Sequence, residues 1–162
     1  MKKYLLLLAI LFASCAEQKQ EPETAGYSIR GEEESYMIGS DETTDFIRKW
    51  ADAHNERDME SLLSMEKTDI KIELPDGTVI NGQDEHSKVL ESFFANNVTW
   101  KPYWMLPYNS VKAQETWVIA GFALTSNVDG EENVILHMGD FQLEDGLISR
   151  IIVYENQRPK KG

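Results

Sequence analysis

Two Asp-Gly pairs constrain the fold of this chain more than any other feature of its sequence. They occupy positions 129–130 and 145–146, and they separate three mainly apolar runs at 116–128, 133–144 and 147–154. An Asp-Gly pair between two such runs is typical of a two-residue β-hairpin turn. The sequence therefore predicts an antiparallel meander in the C-terminal part of the chain.

The two turns also predict which residues face each other. The first turn places Phe122 opposite His137 and Ile119 opposite Asp140, and the second places Asp140 opposite Ile151. Because successive side chains point to opposite faces of a sheet, these pairs divide the meander into two faces. One face carries Trp117, Ile119, Gly121, Ala123, Leu136, Met138, Asp140, Ile151 and Val153, and the other carries Val118, Ala120, Phe122, Leu124, Ile135, His137, Phe141, Ile152 and Tyr154.

Both faces of the predicted meander are apolar, which is unusual for a small monomer. An antiparallel sheet of this kind usually leaves one face polar and exposed to water. The helices of the chain are few enough to cover one face only, so the second face must contact something else. We predict a homodimer through the face that carries Val118, Phe122, Phe141 and Ile152.

The sequence before the meander predicts three helices and a short hairpin. Asp41 or Thr43 caps a first helix with apolar side chains at three- and four-residue spacing. A second, short helix begins after Asp58, and a third follows Gly82. Between them, residues 70–74 alternate between apolar and charged, which indicates a half-buried strand. Helices followed by an antiparallel sheet predict an α+β fold.

The N-terminal segment predicts a secreted protein with a lipid anchor. Two lysines precede an uncharged, mainly apolar run at 4–14, which is shorter than the ~20 residues of a transmembrane helix and fits a secretory signal peptide. The run ends in Ala13, Ser14 and Cys15, an arrangement that resembles the lipobox of bacterial lipoproteins. That resemblance implies cleavage before Cys15, lipidation of this cysteine and anchoring to a membrane of the bacterial cell envelope, on the periplasmic or the cell-surface side.

The composition along the chain predicts the boundaries of its segments. Residues 1–14 form the signal peptide, and residues 15–40 are acidic with few large apolar groups, so we predict a flexible tether there. The folded domain then covers residues 41–157, and residues 158–162 form a tail.

Charge and motif content exclude several classes of function. The formal net charge is −12, which argues against binding to nucleic acid. Three scattered histidines without paired spacing predict no metal site. No glycine-rich phosphate loop and no hydrolase motif occur in the sequence, so we predict no cofactor.

Four local motifs occur in a fixed order. They are the helix break Asn55-x-x-Asp58-x-x-x-Leu62, the strand at 69–75, Gly82 before the third helix, and the run 141–150. Their order resembles the nuclear transport factor 2-like superfamily, which includes SnoaL-like polyketide cyclases and ketosteroid isomerases. The resemblance covers roughly residues 43–157. It implies a cone-shaped, curved antiparallel sheet wrapped over three N-terminal helices, with an apolar pocket in the mouth and dimerisation through the convex sheet face.

The same resemblance predicts the pocket. Its expected lining is Trp50, His54, Met65, Ile72, Leu74, Phe93, Trp117, Ile119, Met138, Asp140, Ile151 and Val153. Ketosteroid isomerases place a tyrosine where Trp50 stands and a catalytic aspartate where Leu74 stands, so their base chemistry should be absent. They keep a hydrogen-bonding aspartate close to the position of Asp140.

Asp140 and His54 are therefore the candidate catalytic residues. An acid among apolar neighbours holds its proton more firmly, so Asp140 either donates a hydrogen bond or acts as a general acid. Alternatively, Asp140 is a carboxylate near the sheet edge that binds water or a neighbouring side chain. His54 is either its acid–base partner or a neutral pocket wall. We expect His137 on the dimer surface and His86 on an exposed helix start.

Three functions follow from these expectations. The first is a membrane-anchored module that binds a small apolar or amphipathic molecule without a catalytic set. The second is a cofactor-independent enzyme of the isomerase, dehydratase or cyclase type that uses Asp140 with His54. The third is a structural dimer whose cone is filled by its own side chains. An open cavity would favour the first two over the third.

Overall fold

The computed structural model describes residues 24–28, 34–128 and 130–155. Its three helices precede the long strands, which confirms the predicted α+β fold. The elements in chain order are β1 Gly26–Ser28, β2 Glu34–Ile38, α1 Asp41–Glu56, α2 Met59–Ser64, β3 Glu66–Glu73, β4 Val79–Asn81, α3 Gln83–Ala95, β5 Thr99–Ser110, β6 Thr116–Val128, β7 Glu131–Glu144 and β8 Leu147–Glu155.

The described strands form one large, curved and unclosed sheet that wraps over the helices. Their order across the sheet is β1-β2-β5-β6-β7-β8-β3-β4. The neighbouring strands pair antiparallel except β3 and β8, whose parallel pairing joins the β3–β4 hairpin to the far edge of the meander. In the part of the chain that the structure describes, no helix is both long and apolar enough to span a bilayer.

The ordered sheet begins inside the segment that we expected to be a flexible tether. β2 pairs with the edge of β5, where Ile38 lies opposite Tyr108. The carboxylate of Glu34, an acidic residue of that segment, accepts hydrogen bonds from the backbone N–H groups of Lys112 and Ala113 at 2.7 and 3.0 Å. Strand pairing therefore orders this part despite its acidic composition. The predicted signal peptide 1–14, Cys15 and the tail 158–162 lie outside the described residues.

The predicted register of the meander is right for its first hairpin and wrong by one residue for its second. Phe122 lies opposite His137, and Ile119 lies opposite Asp140, as predicted. In the second hairpin, Asp140 lies opposite Ile152 instead of Ile151. The cause is an irregularity of the pairing between Gln142 and Leu143, since an extra residue on one strand shifts all later pairs.

On β6 and β7 the two sheet faces are interchanged relative to the prediction, whereas Ile151 and Val153 of β8 lie on the inner face as predicted. Val118, Ala120, Phe122 and Phe141 are at most 1% exposed and belong to the core under the helices, so they do not form a dimer surface. Of the residues predicted for that surface, Ile152 does face outward, because it pairs with Asp140. Both faces are apolar, so the hydrophobic pattern alone does not identify the inner one, and a shift of one residue moves a side chain to the other face.

The convex outer face is nevertheless rich in large apolar side chains. Trp104, Leu106, Met138 and Tyr154 are each 38–48% exposed there. The same face also carries Trp117, which stacks on Tyr108 at a centroid distance of 6.3 Å. The sheet therefore does have a second apolar face. Tyr154 was predicted for this face, whereas Trp117 and Met138 were predicted for the inner one.

Candidate functional site

A cavity of about 270 Å³ opens between the helices and the inner face of the sheet. Its wall is mainly apolar and aromatic. Of the residues predicted for the pocket, Trp50, His54, Ile72, Leu74, Phe93, Ile151 and Val153 line it. The remaining lining residues, which the sequence did not predict, are Pro75, Asp76, Ile80, His86, Val89, Leu90, Trp100, His137 and Glu155.

The other five predicted pocket residues lie elsewhere. Met65 packs against the core without reaching the cavity. Trp117, Ile119, Met138 and Asp140 lie on the outer face, because they alternate with the buried Val118, Ala120, Gly139 and Phe141 along the same strands.

Asp140 therefore cannot serve as the acid of this cavity. Its Oδ2 accepts a hydrogen bond from the Tyr154 hydroxyl at 3.3 Å on the outer face. Burial raises the pKa of Asp140, as expected for an acid among apolar neighbours. The sheet separates Asp140 from His54, so the proposed acid–base pair of these two residues is wrong.

Helix α1 places His54 in the wall and fixes its aromatic neighbour. Asn55 donates a hydrogen bond to the backbone oxygen of Trp100 at 2.7 Å and accepts one from its N–H at 2.8 Å. The helix ends at Arg57, which has a left-handed φ of 60°. The His54 ring stacks on the Trp100 indole at a centroid distance of 5.5 Å and an angle of 9°.

His54 is a neutral residue at physiological pH. Burial lowers its pKa to about 4, and electrostatic interactions with His86 and Arg57 lower it further. Its Nδ1 is buried and has no hydrogen-bond partner among the described residues. His54 thus presents an uncharged ring with an unsatisfied nitrogen to the wall of the cavity.

The first residue of β3 brings a buried carboxylate next to the cavity. The side chain of Glu66 is fully buried. Its Oε1 accepts a hydrogen bond from the Trp50 indole N–H at 2.8 Å, and its Oε2 lies 3.0 Å from Nδ1 of His86. Because a buried carboxylate is stable only when it is paired and hydrogen-bonded, these two contacts explain how Glu66 is tolerated here.

The start of α3 holds His86 against this carboxylate. Gly82, whose φ is 79°, caps the helix and donates its N–H to the Ile70 oxygen at 2.7 Å. The Gln83 side-chain amide donates to the backbone oxygens of Leu63 and Glu66 at 2.6 and 3.0 Å. The first turn of α3 is therefore docked on β3. His86 is 5% exposed as a result, and the expectation of an exposed helix start is wrong.

His137 lies on the inner face and not on a dimer surface. It lines the cavity together with Glu155. The His137 Nε2 and the Glu155 Oε2 are 3.7 Å apart, which is too long for a hydrogen bond. Burial lowers the pKa of His137. The cavity therefore contains all three histidines of the chain.

The Trp100 indole N–H is the clearest unsatisfied donor in the wall. Trp100 is 9% exposed, and its Nε1 has no hydrogen-bond partner within the described part of the chain. Burying such a donor without a partner costs about 1–3 kcal/mol. A ligand with an acceptor that reaches this N–H would recover that cost.

The positions of Glu66 and His86 within their elements indicate that both side chains are buried, although neither was predicted as a site residue. Glu66 shares its strand parity with the buried Ile70 and Ile72. His86 precedes Leu90 by four residues, which places the two on one side of α3. When a carboxylate and a histidine each occupy an inward-facing position of their element, the sequence indicates a buried polar pair.

Comparison with solved structures shows which fold this chain has. A putative polyketide cyclase from Xanthomonas campestris pv. campestris is similar with a TM-score of 0.57 and 16% identity, over 70% of this chain and 89% of that one. A putative ketosteroid isomerase from Kribbella flavida has a TM-score of 0.61 and 17% identity, over 78% and 86%. SalBIII, an epoxide hydrolase/cyclase-like enzyme of pyran ring formation in salinomycin, has a TM-score of 0.62 and 19% identity, over 72% and 94%.

These similarities confirm the nuclear transport factor 2-like fold that the sequence motifs predicted. At such low identities they concern the fold alone. No protein-family model and no curated protein matches the chain.

Proposed function

We propose that this chain is a small-molecule-binding module whose cavity holds an uncharged apolar or amphipathic ligand with a hydrogen-bond acceptor. One observation carries the proposal: the Trp100 indole N–H is buried in the cavity wall without a partner among the described residues. Buried polar groups in native proteins are nearly always hydrogen-bonded, so a ligand with an acceptor is a suitable partner for this N–H.

The size and lining of the cavity set the kind of ligand. Its volume of about 270 Å³ is near the lower end of the range of ligand pockets, so it fits a molecule of roughly the size of naphthalene. Phe93, Trp100 and Ile151 give it an apolar wall. His54 is neutral and stacks on the Trp100 ring. It therefore adds no charge to the wall, and the Trp100 N–H stays available to an acceptor of the ligand.

A matched pair of probes tests the proposal. We expect 2-acetylnaphthalene to bind the full chain more tightly than 2-ethylnaphthalene, which has nearly the same shape but no acceptor, by roughly 3- to 10-fold. Isothermal titration calorimetry measures both. Trp100→Phe should abolish the preference, whereas the matched variant Trp117→Phe on the outer face should retain it. Failure of both probes to bind, or an equal preference in both variants, would contradict the proposal.

The enzyme alternative needs a different residue set from the one that the sequence indicated. Several similar structures carry enzyme names, including a polyketide cyclase and a ketosteroid isomerase. The separation of Asp140 from His54 removes the original pair. The contact between Glu66 and His86 is the observation that favours an enzyme. The open cavity argues against a purely structural dimer with a filled cone.

The proposed location of the module is a membrane of the bacterial cell envelope. The support is the uncharged run at 4–14 followed by Cys15, because multiple acyl chains on one cysteine hold a protein to a bilayer.

The proposed assembly is a homodimer through the convex outer face. The support is the exposure of Trp104, Leu106, Met138 and Tyr154 on this face, since large apolar patches on soluble domains usually mark contact sites.

A further inference from the structure

Three side chains from three elements form a buried chain of contacts below the cavity. The Trp50 indole N–H donates to Glu66 Oε1 at 2.8 Å, and Glu66 Oε2 lies 3.0 Å from His86 Nδ1. Trp50 is 1% exposed, Glu66 3% and His86 5%. Both carboxylate oxygens are thus engaged, and the carboxylate is held in one orientation.

This arrangement determines how the imidazole ring of His86 is presented. A carboxylate beside Nδ1 accepts its proton, so the neutral ring carries its free electron pair on Nε2. The ring lines the cavity, and Nε2 has no hydrogen bond to any residue in the described ranges. Nε2 is also not fully buried, unlike Nδ1 of His54, so a molecule in the cavity can reach it.

We propose that His86 is a general base of this cavity, that Glu66 fixes its tautomer and stabilises its protonated form, and that Trp50 positions Glu66. The inference rests on the proposed function, because a substrate must first occupy the cavity. Its substrate class is a small, uncharged, mainly apolar molecule with a weakly acidic C–H bond next to an electron-withdrawing acceptor group.

The proposed step needs no cofactor and no co-reactant. The Nε2 electron pair of His86 takes the carbon-bound proton, and the electron pair of the C–H bond moves toward the acceptor group of the substrate. The imidazolium that forms is stabilised by the adjacent Glu66 carboxylate. The proton later leaves Nε2 for the product or for water, which restores the base.

Other groups in the cavity suit the negative charge that develops on the substrate. The Trp100 N–H is a buried donor without a partner among the described residues, and a preorganised donor of this kind stabilises developing charge in a dry site. His54 is neutral because burial lowers its pKa to about 4. Asp76 and Glu155 also line the cavity. Among the described residues, however, the carboxylate that contacts His86 is that of Glu66.

The probe substrate for this inference is 5-nitrobenzisoxazole, which requires only a base. Removal of the carbon-bound proton of its isoxazole ring forms the third carbon–nitrogen bond of a nitrile while the nitrogen–oxygen bond breaks. The oxygen leaves as the phenolate of 2-cyano-4-nitrophenol, whose absorbance measures the rate. We expect the full chain to accelerate this reaction over the same concentration of free imidazole.

Variants assign the activity to the proposed residues. His86→Gln should lower kcat/KM by about 10²-fold or more, because an amide is not a base at neutral pH. Glu66→Gln should lower kcat with little change in KM. Its amide has one acceptor oxygen for Trp50 and turns an N–H toward Nδ1 of His86, so the proton of the ring moves to Nε2. Asp140→Asn on the outer face should leave both constants unchanged.

Chemical rescue separates a catalytic role from a structural one. Free imidazole should restore part of the lost rate in His86→Ala, since it can occupy the space of the missing ring, and should not accelerate His86→Gln in the same way. Near-UV circular dichroism checks that each variant keeps its tertiary structure.

The possible results distinguish this inference from the proposed function. Acceleration that depends on His86 and Glu66 supports both. A wild-type chain that binds the probe but is no faster than free imidazole overturns the inference, whatever the variants do, and leaves the binding module intact. Unchanged turnover in a folded His86→Gln variant also overturns it. A cavity that binds neither this probe nor the naphthalene pair overturns both.

Discussion

The Asn55 side chain forms two hydrogen bonds with the backbone of Trp100, one to its oxygen at 2.7 Å and one from its N–H at 2.8 Å. These bonds join the end of helix α1 to strand β5, forty-five positions later in the chain. They explain why an asparagine stands at the helix break of the Asn55-x-x-Asp58 motif. They also hold Trp100 where its ring stacks on His54 and lines the cavity.

Replacement of Asn55 should therefore weaken the whole fold. Asn55→Ala removes both of these part-buried bonds and leaves a backbone N–H and a carbonyl without their partner, so we expect a loss of about 2 kcal/mol in the free energy of unfolding. Urea denaturation measures it. The matched variant Asn133→Ala, at an exposed position of β7, should change the stability by less than about 0.5 kcal/mol. Equal effects of the two variants would contradict the role of Asn55.

The outer face should be the dimer contact, and the inner face should not. Leu106, on the outer face, is 43% exposed and Phe122, in the core, is 1% exposed. We expect Leu106→Glu to convert a dimer into a folded monomer in analytical ultracentrifugation, because an unpaired charge is disfavoured in an apolar contact.

Phe122→Glu serves as the contrasting variant for the dimer. It should unfold the domain, at a cost of more than about 4 kcal/mol, since it buries the charge in the core. A folded monomeric Phe122→Glu variant, or a wild-type chain that is already monomeric at micromolar concentration, would contradict this assignment of the two faces.

The two hairpins differ in how far the sequence determines their pairing. The first Asp-Gly turn predicts the correct pairing of Ile119 with Asp140. The second does not, because the irregularity between Gln142 and Leu143 leaves no mark on the hydrophobic pattern. Since both faces are apolar, the predicted position of Asp140 then depends on the family resemblance, and a shift of one residue is enough to place it on the wrong side.

The pair of Glu66 and His86 escaped prediction for a different reason. Each residue is polar, which by itself indicates a solvated position, yet each follows the inward pattern of its own element. Their proximity is a tertiary relationship between β3 and α3, and it depends on the Gln83 amide and on the positive φ of Gly82. Local propensity does not predict that Glu66 and His86 lie close together. Their inward-facing positions in the two elements do indicate that both are buried.

The buried His54 should make stability depend on pH. Its pKa is lowered to about 4 in the folded chain from 6.5, so the unfolded chain binds a proton between these pH values that the folded chain does not. The free energy of unfolding should therefore fall as the pH drops from 6.5 to 4, by about 3 kcal/mol from this residue.

A His54→Phe variant isolates that contribution. It keeps an aromatic ring against Trp100 and removes the titrating group, so its stability should decline less than that of the wild type over the same range. Urea denaturation at a series of pH values measures the difference. Identical pH dependence in the two proteins would mean that His54 takes up its proton in the folded state as readily as in the unfolded one.

The proposed lipid anchor makes a separate prediction. Cys15→Ala should release the protein from membranes, because the acyl chains on a lipidated cysteine hold a protein to the bilayer and an alanine carries none. Fractionation of cells that express the wild type and the variant measures the distribution. A variant that still sediments with membranes, with unchanged processing, would show that Cys15 is not the anchor.

The most direct test of the binding site observes the Trp100 indole N–H itself. In a ¹⁵N-labelled sample, 2-acetylnaphthalene should shift the Trp100 indole resonance downfield as the N–H gains its acceptor, and 2-ethylnaphthalene should shift it much less. The Trp117 indole, which already donates to Glu115 at 3.0 Å on the outer face, should stay unchanged with both. A Trp100 resonance that responds equally to the two molecules, or a response confined to Trp117, would contradict the proposed site.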